Sequence, residues 1–277
     1  MAANELNRPG SFDILISKNF PHIQEKIFFS LDYKTYKACM EVNGSWKELL
    51  TSERYITKGK SVFRDDILKD EEKLSTAVTD NNTDQAKRLL ASGMVDVNRR
   101  CGVYPHQRPL HDAASSGNVE MTELLIKSGA DLGKTDDYGK TPLHLASTHG
   151  HAEVVLLLLE HGADPNVAVA WEGTTLHAVA RNRNTDVALI LLGHGADPNV
   201  ANERGRTPLH IAAMYHHYDF VSYLLVHGAD PNAVDNRGQT PKTIFEQYDW
   251  KGWVDQIQAC QRLRNSRICV IRLLKRK

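Results

Sequence analysis

Thirteen histidines stand in a chain of 277 residues whose 34 basic and 34 acidic side chains cancel. Histidine is the side chain that binds metals and moves protons near neutral pH, so these residues raise the question of a catalytic or metal centre first. Their spacing answers against one. His111, His144, His177 and His210 recur every 33 residues, as do Asp131, Asp164, Asp197 and Asp230. A site gathers unlike groups at one place, whereas a fixed interval spreads like groups along a stack. His161, His194 and His227 keep the same interval, each just before a Gly-Ala-Asp, where an imidazole can meet the last carbonyls of a helix. His149, His151, His216 and His217 have no carboxylate or thiolate at ligand spacing and read as surface polar groups. Cys39, Cys101, Cys260 and Cys269 form no CxxC or CxxxC pair, which leaves neither a thiolate site nor a disulfide framework readable. No GxSxG, GxxxxGK[ST], HExxH or kinase motif occurs. The expectation is a chain that is not an enzyme, without metal or cofactor.

The elements that place these residues follow from the repeating unit. Thr141-Pro142-Leu143-His144-Leu145-Ala146 returns as Thr207-Pro208-Leu209-His210-Ile211-Ala212, and more loosely at Arg108 to Ala113 and Thr174 to Val179. Threonine caps a helix that proline starts, because its oxygen accepts an orphan amide and proline has no amide to satisfy. A second helix carries an apolar stripe such as Val154, Val155, Leu158 and Leu159 and ends at Gly162, with Gly195 and Gly228 in register. Asp-Pro-Asn then turns the chain out into a hairpin. One such unit cannot cover its own apolar face, so stability comes from neighbours.

This pattern resembles the ankyrin repeat. The resemblance implies an all-α fold: an ankyrin repeat solenoid of helix-turn-helix repeats with hairpin loops, preceded by a small helical domain. Full repeats fall near 106 to 138, 139 to 171, 172 to 204 and 205 to 237, with a degenerate first copy at 73 to 105 and a partial one from Gly238 that ends the stack. In two copies Arg183 and His216 stand where Gly117 and Gly150 stand in the others. A left-handed backbone there would cost about 1 kcal/mol each.

An ankyrin stack is expected to bind a protein partner on its concave surface, formed by the hairpins and first helices. Tyr138, Trp171, Arg204 and Arg237 make a row there with a 33-residue interval, and Tyr104 lies one place earlier in the preceding unit. Past the TPLH core come Arg181, Met214 and Tyr215. Trp, Tyr and Arg are the residues that most often anchor interfaces. With Arg206, and with Arg183 nearby, this set suggests a partner of acidic or phosphorylated character. The competing reading is that these are ordinary solvated loop tips.

Residues 11–57 lie outside the register and carry their own apolar spacing. Phe20-Pro21, Ile23, Ile27, Leu31-Asp32, Val42 and Trp46 resemble an F-box. That resemblance implies docking of Phe20, Pro21, Ile23, Ile27, Leu31, Val42 and Trp46 on a Skp-type linker protein of a cullin-RING ubiquitin ligase. The alternative is a helical cap on the first repeat. Residues 1–10 read as a flexible start, and the charged stretch 58–72 as a solvated helical connector before repeats over 73–260. The segment 261–277 is basic, with no acid and interleaved apolar residues. Leu90 and Asp96-Val97-Asn98 resemble the ankyrin site of an asparaginyl hydroxylase, which implies modification of Asn98; the other reading is that Asn98 holds the hairpin. A formal charge of zero gives no global case for nucleic acid or membrane. The longest apolar run, Val154 to Leu159, is far short of a membrane span, and the chain is expected in the cytoplasm, the nucleus or both.

Overall fold

The computed structural model describes residues 29, 32–42, 53–100 and 107–247. Among them are 13 helices and no strand. They fall in two compact units, the first holding residues 29, 32–42, 53–77 and 84–97 and the second 78–83, 98–100 and 107–247.

The first unit is built by aromatic residues. Asp32 opens α1 (Tyr33–Val42) by accepting the Thr35 amide at 2.8 Å. The α1 residue Tyr36 is fully buried and stacks on Phe29, which also stacks on Tyr55 of α2 (Glu53–Val62). Phe63, between α2 and α3 (Arg64–Thr79), closes the cluster against Tyr33 and Tyr36 at 5.4 and 5.1 Å between ring centres. Gly59 of α2 leaves room for Met94, since a Cβ there would collide with its methyl group. Ala86 and Leu89 of α4 (Thr83–Leu90) are buried as well. The charged stretch expected to be a solvated connector is helical but not solvated throughout. Asp70 and Glu71 are each 4% exposed. Tyr33 Oη, Lys37 Nζ and Lys73 Nζ all donate to the Asp70 carboxylate, at 3.0, 2.8 and 2.9 Å. Burial works to raise its pKa, and these donors outweigh burial and hold it below the usual carboxylate range. Glu71 Oε1 accepts the Asp96 amide. Buried acids of this kind persist only with such partners.

The second unit repeats a pair of antiparallel helices: α5 (Pro109–Ser116) with α6 (Val119–Lys127), α7 (Pro142–His149) with α8 (Ala152–Glu160), α9 (Thr175–Asn182) with α10 (Thr185–Gly193), and α11 (Pro208–Met214) with α12 (Tyr218–Val226). Then comes α13 (Pro241–Glu246). The first helices α5, α7, α9, α11 and α13 pack side by side in chain order, and α6, α8 and α10 make a second layer. Alanines at the contact, among them Ala113, Ala146, Ala180 and Ala213, are wholly buried and let the first helices approach. Gly162, Gly195 and Gly228 take φ of 92°, 87° and 97°, the left-handed turn the sequence calls for.

Two polar devices lock each unit to the next. In the first, the histidine of the TPLH segment works with both ring nitrogens. His177 Nδ1 accepts the Thr174 amide at 3.0 Å, and Nε2 lies 2.9 Å from the Arg206 carbonyl, one hairpin further on. His210 does the same with Thr207 and the Gln239 carbonyl. An Nδ1 that accepts leaves the proton on Nε2, so this is the neutral tautomer that donates to the carbonyl. In the second, an asparagine bonds the turn of the following unit through both side-chain atoms. Asn98 Nδ2 donates to the Gly129 carbonyl and its Oδ1 accepts the Asp131 amide; Asn166 and Asn199 repeat this on Gly195 with Asp197 and on Gly228 with Asp230. Gly133 occupies this place in one unit, with no side chain to make the clamp.

Restoring that clamp gives one prediction. Gly133 lacks the positive φ of the turn glycines, and nothing closer than 3.5 Å would meet a Cβ there. Gly133→Asn should gain about 1 kcal/mol from the new hydrogen bonds, read as a rise in thermal midpoint with unchanged circular dichroism. A second prediction concerns acid. Burial depresses His144 and His177 to about 4 from an ordinary 6.5. The unfolded chain binds protons on them between those values while the folded chain does not. Their stabilisation is therefore complete above pH 6.5 and lost as pH falls toward 4. Asp112, pushed up to about 6 by burial, works in the opposite sense, gaining stability as pH drops through 6. The histidines dominate by number, so urea midpoints should fall from pH 7 to pH 4.5, and His177→Gln should flatten that slope while lowering the midpoint at pH 7.

Candidate functional site

The hairpins that join one repeat to the next are shaped by a single side chain near their base. Asp136 Oδ1 accepts the amides of Tyr138 and Lys140, both at 2.9 Å. Asn202 receives Arg204 and Arg206 in the same manner, and Asp235 receives Arg237 and Gln239. An acceptor at this place stiffens the tip and turns the residue two places on toward solvent. The exposed tips are Tyr138, Trp171, Arg204 and Arg237.

The third hairpin departs from the rule. Val169 stands where the others have Asp or Asn, and it cannot accept the two amides. The chain compensates with a pair of backbone bonds, Val169 N to Gly173 O at 2.9 Å and Gly173 N to Val169 O at 2.8 Å. The left-handed glycine moves one place later, to Gly173 with φ 82°. Three residues are left at the tip, and the central one, Trp171, is 70% exposed, the highest value among the exposed large apolar side chains of the described residues. Its neighbour Glu172 is braced from two sides, by Lys140 of the preceding hairpin at 3.0 Å and by Arg181 of α9 at 3.9 Å. A wide indole is thus presented on a small, hydrogen-bonded loop. Such an anchor loses little conformational freedom when a partner covers it.

The other candidates take different places. Tyr138 is 52% exposed on the hairpin before. Arg204 and Arg237 are exposed at their tips, and no side-chain bond ties either guanidinium among the described residues. Asn236 links the two tips by donating its amide to the Arg204 carbonyl at 3.0 Å and its Nδ2 to the Glu203 carbonyl at 2.9 Å. Met214 is half-buried at the end of α11, and Tyr215 beside it is 48% exposed and stacked on His217. Arg183 lies in an exposed ion pair with Asp219 of α12.

Arg206 requires correction as a contact residue. It is 8% exposed, and its Nε donates to Asp235 of the next hairpin at 3.2 Å. Burial works to raise the Asp235 pKa, and the Gln239 and Arg237 amides with Arg206 outweigh it and hold the carboxyl low. Arg206 is a stay between hairpins; its charge is spent inside the stack. Sequence reasoning counted it among free cations because its partner lies 29 residues away. The signal was present in the interval from Asp136 to Asn202 and Asp235, which marks those positions as hairpin acceptors with an oxygen to spare. The brace at Glu172 was also missed, and no repeat position announces it.

Asn98 serves as the clamp already described, like Asn166 and Asn199. Tyr104 lies outside the described residues. So do Phe20, Pro21, Ile23, Ile27, Leu31 and Trp46, and of Val42 only the backbone, closing α1, is described. Among the described residues no three His, Cys, Asp or Glu side chains gather to hold a metal ion, and no helix is long and apolar enough to cross a membrane.

Comparison with known families matches residues 74–169 and 170–241 to ankyrin repeats in three copies, more than half of the chain. Two curated relatives are plant proteins. Potassium channel GORK of Arabidopsis thaliana is 40% identical over 68 residues, and Potassium channel KOR1 of Oryza sativa subsp. japonica is 44% identical over 68 residues. Each alignment covers 24% of this chain and 8% of the channel.

The geometry separates the two neighbouring arginines. Arg206→Ala should cost about 2 kcal/mol in denaturant unfolding, because it leaves Asp235 buried beside an empty space. Arg204→Ala should leave stability within about 0.5 kcal/mol of the parent.

Proposed function

Since the chain belongs to the ankyrin-repeat family, whose repeats bind protein partners, we propose that it is a non-catalytic binding protein that grips one partner across its hairpin tips. The observation that carries this reading is Trp171, exposed on a braced loop and next in the row to Tyr138. Aromatic side chains so presented supply large contact area at small entropic cost and are the common hot spots of interfaces. Recognition then extends along Arg204, Arg237 and the first-helix residues Arg181, Met214 and Tyr215. Crosslinking of the folded protein in cell extract, followed by identification of the captured protein, tests it. Trp171→Ala should reduce capture at least tenfold, about the loss of a 1.4 kcal/mol contact, with no change in thermal midpoint. Undiminished capture by that variant overturns the choice of surface.

A finer reading makes the chain an adaptor that brings this partner to a cullin-RING ubiquitin ligase through a Skp-type linker. It is supported by the likeness of residues 20–50 to an F-box. Phe29 and Tyr36, inside that stretch, pack on Tyr55 and Phe63 beyond it. The reading requires Phe20, Pro21, Ile23, Ile27, Leu31, Val42 and Trp46 to offer their apolar groups to the linker. Coexpression with a Skp-type protein should yield a complex that Ile27→Asp or Trp46→Asp abolishes while capture through Trp171 continues. Failure of the parent chain to copurify leaves the plain scaffold, which binds its partner with no ubiquitin connection.

A further inference from the structure

The hairpins consume most of their charge internally. Arg100 pairs with Asp137 of the next hairpin at 2.9 Å, Lys140 with Glu172, and Arg206 with Asp235. Lys134 lies 3.5 Å from Asp131. Arg204 and Arg237 remain, exposed and without a side-chain partner among the described residues. They occupy the same place on neighbouring tips, and the Asn236 bonds to the Arg204 and Glu203 carbonyls hold those tips together. Gly205 makes that approach possible. Its φ is 71°, and a Cβ there would sit 2.8 Å from the Asn236 amide nitrogen. The fold thus fixes two like charges on adjoining tips, beside Glu203, which has no ion pair among the described residues.

Resting on the binding role proposed for the same row, we infer that Arg204 and Arg237 receive carboxylates from an acidic segment of the partner protein, whose apolar residues lie on Trp171 and Tyr138. The order along the row, two aromatics followed by two arginines, sets the order of the segment: an apolar half, then an acidic half. A planar guanidinium takes a carboxylate through two parallel hydrogen bonds, and two exposed guanidiniums on separate tips suit two separate carboxylates. A nucleic-acid strand asks for a run of unpaired cations, and the hairpin cations Arg100, Lys140 and Arg206 are already bonded within the stack.

The full chain can be tested by fluorescence anisotropy with labelled synthetic peptides that have a leucine- and tyrosine-rich half joined to a glutamate-rich half. The expected result is binding that weakens as salt rises, falls about tenfold with Arg204→Ala or Arg237→Ala, and is absent for the matched peptide with glutamine in place of glutamate. Arg204→Lys should recover only part of the loss, because an ammonium cannot make the paired bonds. Equal binding of the glutamine peptide, or arginine variants indistinguishable from the parent, overturns the acidic partner. A phosphoserine peptide that binds more tightly than the glutamate peptide also overturns it, in favour of a phosphorylated segment. Trp171→Ala separates the two levels of the reading. If it abolishes binding of both peptides while the arginine variants have no effect, the hairpin row binds protein and the acidic assignment alone fails.

Discussion

Everything in the stacked unit depends on an imidazole kept neutral inside it. His177 and His210 each accept an amide from their own helix start and donate to a carbonyl of the following hairpin, and only the uncharged ring can do both. Burial supplies that state, holding His144 and His177 to about 4. The bond reaches 29 residues along the chain, from His177 to Arg206 and from His210 to Gln239. It therefore sets where each hairpin stands relative to the helix before it. The row of hairpin tips shares in this, since Tyr138, Arg204 and Arg237 sit on hairpins whose bases meet a histidine Nε2 at the Lys140, Arg206 and Gln239 carbonyls.

Where the interaction is altered, the stack responds locally. His144 Nε2 donates no hydrogen bond, and the carbonyl one interval on, that of Gly173, accepts the Val169 amide. The backbone bridge replaces the missing Asp at 169. The gain from this exchange is a tip with no Asx turn behind it and an indole at its centre. A buried polar atom left short of a partner is a cost the rest of a repeat stack has to offset.

Much of this was readable from intervals. The period of 33 residues delivered the helix pairs, the left-handed glycines, the threonine caps and the structural role of the histidines, because each is enforced again in every copy. His161, His194 and His227 indeed meet the carbonyl four residues back, all at 2.8 Å. What intervals do not carry is pairing between unlike positions. Arg206 looks as free as Arg204 until Asp235 is found opposite it, and Glu172 looks like any exposed acid until Lys140 and Arg181 converge on it. Residues 58–73 misled for a related reason: a dense run of charge reads as solvated, yet the Asp70 side chain is buried because Tyr33, Lys37 and Lys73 all reach it. Charge content is a property of sequence, while charge satisfaction is a property of the fold.

The departures from the repeat sort into two kinds, and the difference bears on function. Arg183 and His216 take φ of 58° and 59° where Gly117 and Gly150 have 73° and 80°. A Cβ at Gly117 would strike the ring of His151, which bonds the Ser115 carbonyl through Nε2, so that glycine is needed for close approach as well as for its backbone. With Arg183 in place of glycine, the matching His217 turns and bonds the Ala180 carbonyl through Nδ1 instead. The contact between repeats survives in a changed form, and the left-handed strain of about 1 kcal/mol is what remains. Val169 is of the same kind, repaired by its neighbours through the backbone. Trp171, Arg204 and Arg237 are of the other kind, for among the described residues no neighbour has adjusted to cover the indole or pair with either guanidinium. A stack that corrects its irregularities wherever a neighbour can reach them leaves these three uncorrected, which is what the proposed partner surface requires.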